Sequence, residues 1–466
     1  MDRLLEPAKG KLKIFQKMEQ GNTLTAWAPA DKYYTALVTG DLGQLQALTA
    51  KHYGDVNVVF EINKNEMEWQ VKSPVTFGLS VRGCFSTIYP TARLPEPKDP
   101  GKAACCRHSG LWSLEYKREL TNPLCIAAGH GHTDCVRHLL HEHANADATP
   151  GGRSALHEAC QAGHTDCTQL LLDYQANPNL LSDEGFAPLH LCRSQNTLGC
   201  AKILVKYGAL VDQPSEETQE TPLHTAAEHG LPDHVYLYLK NGARVDPKNS
   251  HKETPLSVAC GQAKKLEDQA CYLRVCKLLL LYGADVNSTD EEDKSPLHKA
   301  SKNANHGLVQ LLLRNKADIN AIDYNGASPM ACVLQSASFK RELKPHQTVQ
   351  MLLNHGSQKI WPAAFEKVLK LCASTPEVIE ILFNSYSQNC VSEKWRAAIP
   401  KEIFQMHLSF YQSLFTLSCT TRGLQHLCRC AIRKQLGSKC YDLIPLLPVP
   451  KSLQNFLLLE PKGIVF

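Results

Sequence analysis

The chain has 466 residues, 43% of them hydrophobic and 21% charged, and a formal net charge of +4. That composition supports a large buried core and belongs to a folded chain rather than a disordered or fibrous one. No basic stripe interleaved with aromatics is present and no apolar run approaches the ~18 residues of a membrane helix, so neither nucleic acid nor a bilayer is expected as a partner.

Residues 1–30 carry no strong pattern and read as an N-terminal arm. Met1-Asp2-Arg3-Leu4-Leu5 lacks the charged, apolar, small-residue order of a secretory leader. The 19 cysteines are odd in number, and Cys125, Cys160, Cys192, Cys260 and Cys332 sit where a small apolar side chain packs well. Reduced thiols, and a cytoplasmic or nuclear rather than secreted protein, are expected.

Residues 31–116 open with Ala36-Leu37-Val38-Thr39-Gly40-Asp41-Leu42, the form of a helix end, and Tyr53-Gly54-Asp55-Val56-Asn57, which repeats later as Tyr282-Gly283-Ala284-Asp285-Val286-Asn287. They read as one degenerate leading repeat that caps an array. From 58 to 116 the period is lost, and 81–109, with Pro90, Pro95, Pro97 and Pro100, reads as an irregular insertion. Cys84, Cys105, Cys106 and His108 fall in it without any usual metal-ligand spacing, so no metal is expected.

Residues 117–386 are periodic. The phrase Thr221-Pro222-Leu223-His224 recurs in variants whose leucine or methionine falls at 124, 156, 189, 223, 256, 297 and 330, in steps of 32, 33, 34, 33, 41 and 33. In the fullest copy Thr221 caps and Pro222 starts a first helix, and Gly230 ends it. Paired apolar residues such as Leu312-Leu313 carry a second helix, and Gly208, Gly242, Gly283 and Gly356 stop it. Helices this short are marginal alone, so stacking must stabilise them. A period near 33 with this phrase resembles ankyrin repeats, about seven to eight of them, an elongated solenoid whose turn tips and inner helices hold protein partners. The long step of 41 places about eight extra residues around Ala263 to Cys271, expected as a solvated connection. The acidic tips Glu216-Glu217 and Asp290-Glu291-Glu292-Asp293 read as solvated loop charge. The matched histidines, His157, His190, His224 and His298 among them, read as scaffold.

A weaker unit at 365–382 closes the array, and residues 400–466 differ in character. After Pro400 the apolar residues Phe404, Leu408, Tyr411, Leu414 and Phe415 predict one helix. Residues 421–436 predict another, with Leu424, Leu427, Cys428, Ala431, Ile432 and Leu436 as its apolar face and His426, Arg429, Arg433 and Lys434 pointing elsewhere. Thr421 is a candidate cap and Gly437 a fitting stop. Ile444-Pro445-Leu446-Leu447-Pro448-Val449-Pro450 predicts a stiff extended segment displaying Leu447 and Val449, followed by a short helix with Leu453, Phe456 and Leu457 inward.

This order resembles the SOCS box, and with the array it resembles the ankyrin repeat and SOCS box family. The resemblance implies an all-α fold, an ankyrin solenoid followed by a helical box. It implies that Leu424, Leu427, Cys428 and Ile432 bind Elongin C, itself paired with Elongin B. It implies that a cullin box at 444–459 selects cullin-five with its RING subunit through Ile444, Leu447, Pro448, Val449 and Pro450. Gly423 departs from the Ser, Thr or Pro that often precedes the leucine. Such a chain is a substrate adaptor in ubiquitination with no catalytic residue and no cofactor; its target is not readable. Two other readings stay open. One is a plain scaffold whose C-terminal helices only cap the array; capping and docking can also hold at once, with Leu427 and Leu436 packed on the array while Leu424 and Cys428 face outward. The other is a metal site from His426, Cys428, Cys430 and Cys440, disfavoured because Cys428 and Cys430 project about 200° apart on a helix.

Overall fold

The computed structural model describes residues 13–15, 30–52, 55–69, 112–360, 364–387, 393–417 and 422–463. Cys84, Cys105, Cys106, His108, Thr421 and the 81–109 stretch lie outside them. The chain divides into two compact units, 1–123 and 124–466.

In the first unit the helices Ala30–Thr39 and Leu42–His52 lie between the first and second strands of a three-stranded antiparallel sheet of Lys13–Phe15, Val59–Trp69 and Trp112–Thr121. Its register pairs Phe15 with Val59, Phe60 with Thr121 and Trp69 with Trp112. The helices bury Tyr33, Leu37 and Leu45, and Phe60 lies 6.0 Å from the Tyr33 ring. This sheet was not anticipated from the sequence. Its signal is present in Trp112, Leu114 and Tyr116 alternating with Ser113, Glu115 and Lys117, a period of two that ends where the helical period begins.

The second unit is helical. Successive helix pairs run from Pro123–His130 with Thr133–His141 to Phe365–Cys372 with Pro376–Phe383. The residues at the register positions, Leu124, Leu156, Leu189, Leu223, Leu256, Leu297 and Met330, are all buried. Each contributes roughly 1.5–3 kcal/mol relative to exposure, and that burial is what holds helices of eight or nine residues in place. Cys125, Cys160, Cys192, Cys260 and Cys332 share this core as small apolar groups. The helix stops are as expected: Gly230, Gly242, Gly283 and Gly356 have φ of 63, 86, 93 and 95°.

Two polar ladders join the repeats. In the first, His224 accepts from the Thr221 backbone amide at Nδ1, 3.1 Å, and donates from Nε2 to the Glu253 carbonyl of the next repeat, 3.0 Å. His157, His190 and His298 make the equivalent bonds to Phe186, Glu220 and Ala327. Ser257 replaces the histidine in the fifth phrase, and there Thr254 receives the Ser257 amide instead. In the second ladder an Asp or Asn side chain accepts the backbone amide of the following repeat. Asp147 takes Asn177, Asn179 takes Leu210, Asp212 takes Arg244, Asp246 takes Asp285, Asn287 takes Asp318 and Asn320 takes Gln358.

Three local predictions are corrected. The third repeat opens with a 3-10 turn, Pro188–Leu191, not an α-helix; Ser194 is extended and starts a second 3-10 turn, Gln195–Thr197, so the first helix cannot continue. The long connection is solvated over 264–271, but part of the extra length extends the second helix, Gln269–Leu281, to 13 residues. The single helix read after Pro400 is broken at His407, φ −120° and ψ 41°, into Lys401–Met406 and Leu408–Thr416. Tyr411 and Leu414 are buried while Leu408 is 44% exposed.

Candidate functional site

The helix Leu424–Leu436 spans roughly 20 Å. Gly423 precedes it in extended conformation, and Gly437, with φ 58°, stops it. Its amphipathy is the reverse of an ordinary surface helix. Leu424 is 77% exposed, Ile432 39% and Leu427 37%, and Cys428 is also exposed, whereas His426 and Arg429 on the opposite face are almost fully buried. The expectation that Leu427 packs on the array is therefore corrected: its side is turned to solvent. Leu436 is half-buried, packed against the box's own cluster of Cys440, Ile444 and Leu457.

The buried face is polar because its partners are carbonyls left over at the ends of array helices. Those carbonyls lie at the negative end of the helix dipole, which suits guanidinium groups, and Phe383 and Leu353 also accept the following Tyr386 and Gly356 amides. Arg422 donates to the Phe383 carbonyl at 3.2 Å and lies 4.4 Å over the Phe383 ring. Arg429 donates to the Asn384 carbonyl and to His426 Nδ1 and lies 4.2 Å over the Phe456 ring. His426 donates from Nε2 to the Tyr386 carbonyl at 2.7 Å. Arg433 holds the Asn354 side chain and the Leu457 and Leu353 carbonyls. Burial draws Arg422 and Arg429 down to about 10, far enough above neutrality that both stay charged. Burial, with Arg422 and Arg429 nearby, draws His426 down to about 4, so it is a neutral link. Residues 422, 426, 429 and 433 follow a 4-3-4 spacing, the sequence signal for this face.

Further contacts fix the box against the last repeats. Tyr441 stacks 4.5 Å from His355 and is bonded to Gln310. Gln350 and Asn354 both donate to the Leu458 carbonyl. The buried Glu380 carboxylate receives the Lys462 and Gly463 amides at 2.7 and 2.9 Å.

The proline segment departs from the prediction in part. Ile444–Leu446 is a 3-10 turn, since Pro445 stands in its first turn, where the missing N–H costs nothing. Leu447, ψ 137°, and Pro450, ψ 149°, are extended, but between them the chain bends, the Val449 amide donating to the Leu447 carbonyl at 2.8 Å, and Gln454 donates to the Pro445 and Leu447 carbonyls. Ile444 is wholly buried in the box core and supports the segment from within. Leu447 packs on that core rather than being displayed, Val449 is half-buried, and Pro448 and Pro450 are exposed. Leu446, not singled out in the sequence, is 77% exposed; Leu453 is 39% exposed, while Phe456 and Leu457 face inward. The four candidate ligands do not converge: Cys430 lies 3.5 Å from His426, Cys428 points to solvent and Cys440 is in the core.

Among the described residues no helix is long and apolar enough to cross a membrane. The acidic tip at 290–293 does structural work: Asp290 accepts the Glu292 and Lys294 amides and pairs with Lys299 at 2.9 Å.

A stacked-repeat solenoid ending in a small helical box with an outward apolar stripe is the architecture of a two-part interaction protein. The ankyrin repeat family model matches residues 114–182, 163–249 and 268–362, and the SOCS box model matches 420–458. Human ankyrin repeat and SOCS box protein 18 is 55% identical over 94% of this chain and 88% of its own length. Human ankyrin repeat and SOCS box protein 16 is 36% identical over 93% and 86%, and mouse ankyrin repeat and SOCS box protein 10 is 42% identical over 76% and 77%. The chain belongs to the ankyrin repeat and SOCS box family.

Proposed function

We propose that this chain is the substrate-recognition subunit of an Elongin B/C, cullin-five, RING-type ubiquitin ligase. The observation that carries the reading is the inverted helix Leu424–Leu436. Polar and charged groups are sealed against the array while Leu424, Leu427, Cys428 and Ile432 are held out in water, an arrangement that costs stability unless a partner covers them. Elongin C is the partner the SOCS box resemblance supplies. The exposed Pro448 and Pro450, with Val449 beside them, form the second contact, to cullin-five; Leu447 and Ile444 hold that segment in shape.

The array holds the target and the box holds the ligase, so ubiquitin transfer follows from proximity: tethering converts an encounter in solution into an effectively intramolecular one. No side chain of this chain acts as acid, base or nucleophile in that scheme. Co-purification of Elongin B and C with the full chain tests it. Both are expected to bind, to be lost on Leu424→Pro with Cys428→Phe, and to be retained when Pro448→Ala and Pro450→Ala remove cullin-five alone. A chain that ignores Elongin C would leave the scaffold reading. Proximity labelling with and without residues 421–466, under proteasome inhibition, identifies the target.

A further inference from the structure

Beside the docking helix, between it and the last repeats, lies a crevice of about 460 Å³. Lys359, Arg433 and Lys434 line it together with Ser357, Ser385 and Ser387, and no carboxylate does. Lys359 reaches in from the array side, bonded to the Ser385 carbonyl; Arg433 and Lys434 come from the box helix. The same helix region carries Arg422 and the buried Arg429, and Arg422 Nη1 and Arg429 Nε have no hydrogen-bond partner. Among the described residues none of these five cations has a carboxylate within 4 Å. Glu380, the nearby acid, interacts electrostatically with Arg429 alone of the five, and its oxygens are taken by the Lys462 and Gly463 amides.

Carbonyl acceptors take some of the N–H groups of the arginines but bring no countercharge. Cations gathered at one crevice with no carboxylate in contact leave a local positive potential, which a bound anion relieves. Burial is the main cause that draws the Lys359 ammonium below the usual lysine range, with Arg433 a smaller contributor. The crevice has the size of a small-molecule pocket, and its hydroxyls and cations are phosphate-binding chemistry.

We propose that this crevice binds a small, multiply phosphorylated anion contacted by Lys359, Arg433 and Lys434. Because those groups come from the last repeats and from the box, the ligand bridges the two and stiffens their joint. Calorimetric titration and thermal unfolding of the full chain test this, with inositol hexakisphosphate as the probe and inorganic phosphate and sulfate as comparison arms. Inositol hexakisphosphate is expected to bind, to raise the unfolding temperature, and to weaken steeply with added salt. Its affinity is expected to fall at least tenfold in Lys434→Ala, an exposed position where folding is not at risk, and in Lys359→Met. Lys451→Ala, on a lysine outside the crevice, is expected to leave it unchanged. Three results would each overturn the proposal: no binding at millimolar probe, binding undiminished in Lys434→Ala, or no preference for the polyphosphate over phosphate and sulfate.

Discussion

The Nε2 of His224 lies 3.0 Å from the backbone oxygen of Glu253, twenty-nine residues further along, so a side chain in one repeat is bonded to the backbone of the next. The bond requires a neutral ring, since Nδ1 is occupied by the Thr221 amide and can only accept.

Acid should therefore weaken the array before it weakens most of its carboxylate pairs. Burial lowers the pKa of His157, His224 and His298, and takes His190 to about 4. The unfolded chain protonates these rings near 6.5 and the folded chain resists until lower pH. Their contribution is whole above about 6.5 and is lost as pH falls towards 4, His190 alone accounting for about 3 kcal/mol at the bottom of that window. Urea midpoints at pH 7.5, 6 and 5 should fall in that order, with a shallower fall in His190→Gln. An array equally stable at pH 5 and 7.5 would refute the neutral-ring ladder.

The Asx ladder should behave as independent rungs. Asn320→Ala removes the acceptor of the Gln358 amide, and Asp147→Ala that of the Asn177 amide. Each is expected to lower stability by about 0.5–1.5 kcal/mol. The rungs share no partner, so the double variant should show the sum within about 0.5 kcal/mol in denaturant titration.

Gly356 meets two demands. Its φ is 95°, and an added Cβ would lie 2.7 Å from Ser438 Cβ of the box. Gly242 has φ 86° with nothing within 4 Å of such a Cβ, so Gly242→Ala measures backbone strain alone, about 1–2 kcal/mol. Gly356→Ala should cost at least about 1 kcal/mol more through the clash. Amide exchange in residues 437–444 should rise in that variant and not in Gly242→Ala.

Glu380 should hold down the segment that follows the final helix. It is 1% exposed and its carboxylate accepts two amides, from Lys462 and Gly463. Glu380→Ala should release that segment to limited proteolysis after Leu459 and lower stability by roughly 1–3 kcal/mol. Glu380→Gln, which keeps only part of the acceptor capacity, should fall between. Unchanged protease resistance in Glu380→Ala would show that the segment is held elsewhere.

Much of the fold was legible because repetition multiplies a weak signal: one Leu at 223 says little, but six more positions in register identify a buried seam. The tail was legible as a motif, but which side of it meets the array was not. An apolar stripe on a short helix normally faces inward, and that rule allowed Leu427 against the array even as the SOCS box resemblance put it in the outward face. The structure turns the other side inward because Arg422, Arg429 and Arg433 find carbonyls at Phe383, Asn384 and Leu353, from 39 to 80 residues away. Local sequence cannot display partners that distant; the 4-3-4 spacing of the charged residues was the available trace. The first-unit sheet was missed because its alternation at 112–116 stands next to a much louder helical period.

The guanidinium groups of the helix Leu424–Leu436 and of Arg422 plug into the ends of the repeats before it, so its socket is made of backbone at Leu353, Phe383, Asn384 and Tyr386. A box grafted onto a foreign solenoid leaves that socket behind. Hybrid receptors should transfer their ligase recruitment faithfully only when the cut is made upstream of Pro329, carrying the final two helix pairs along as a single module.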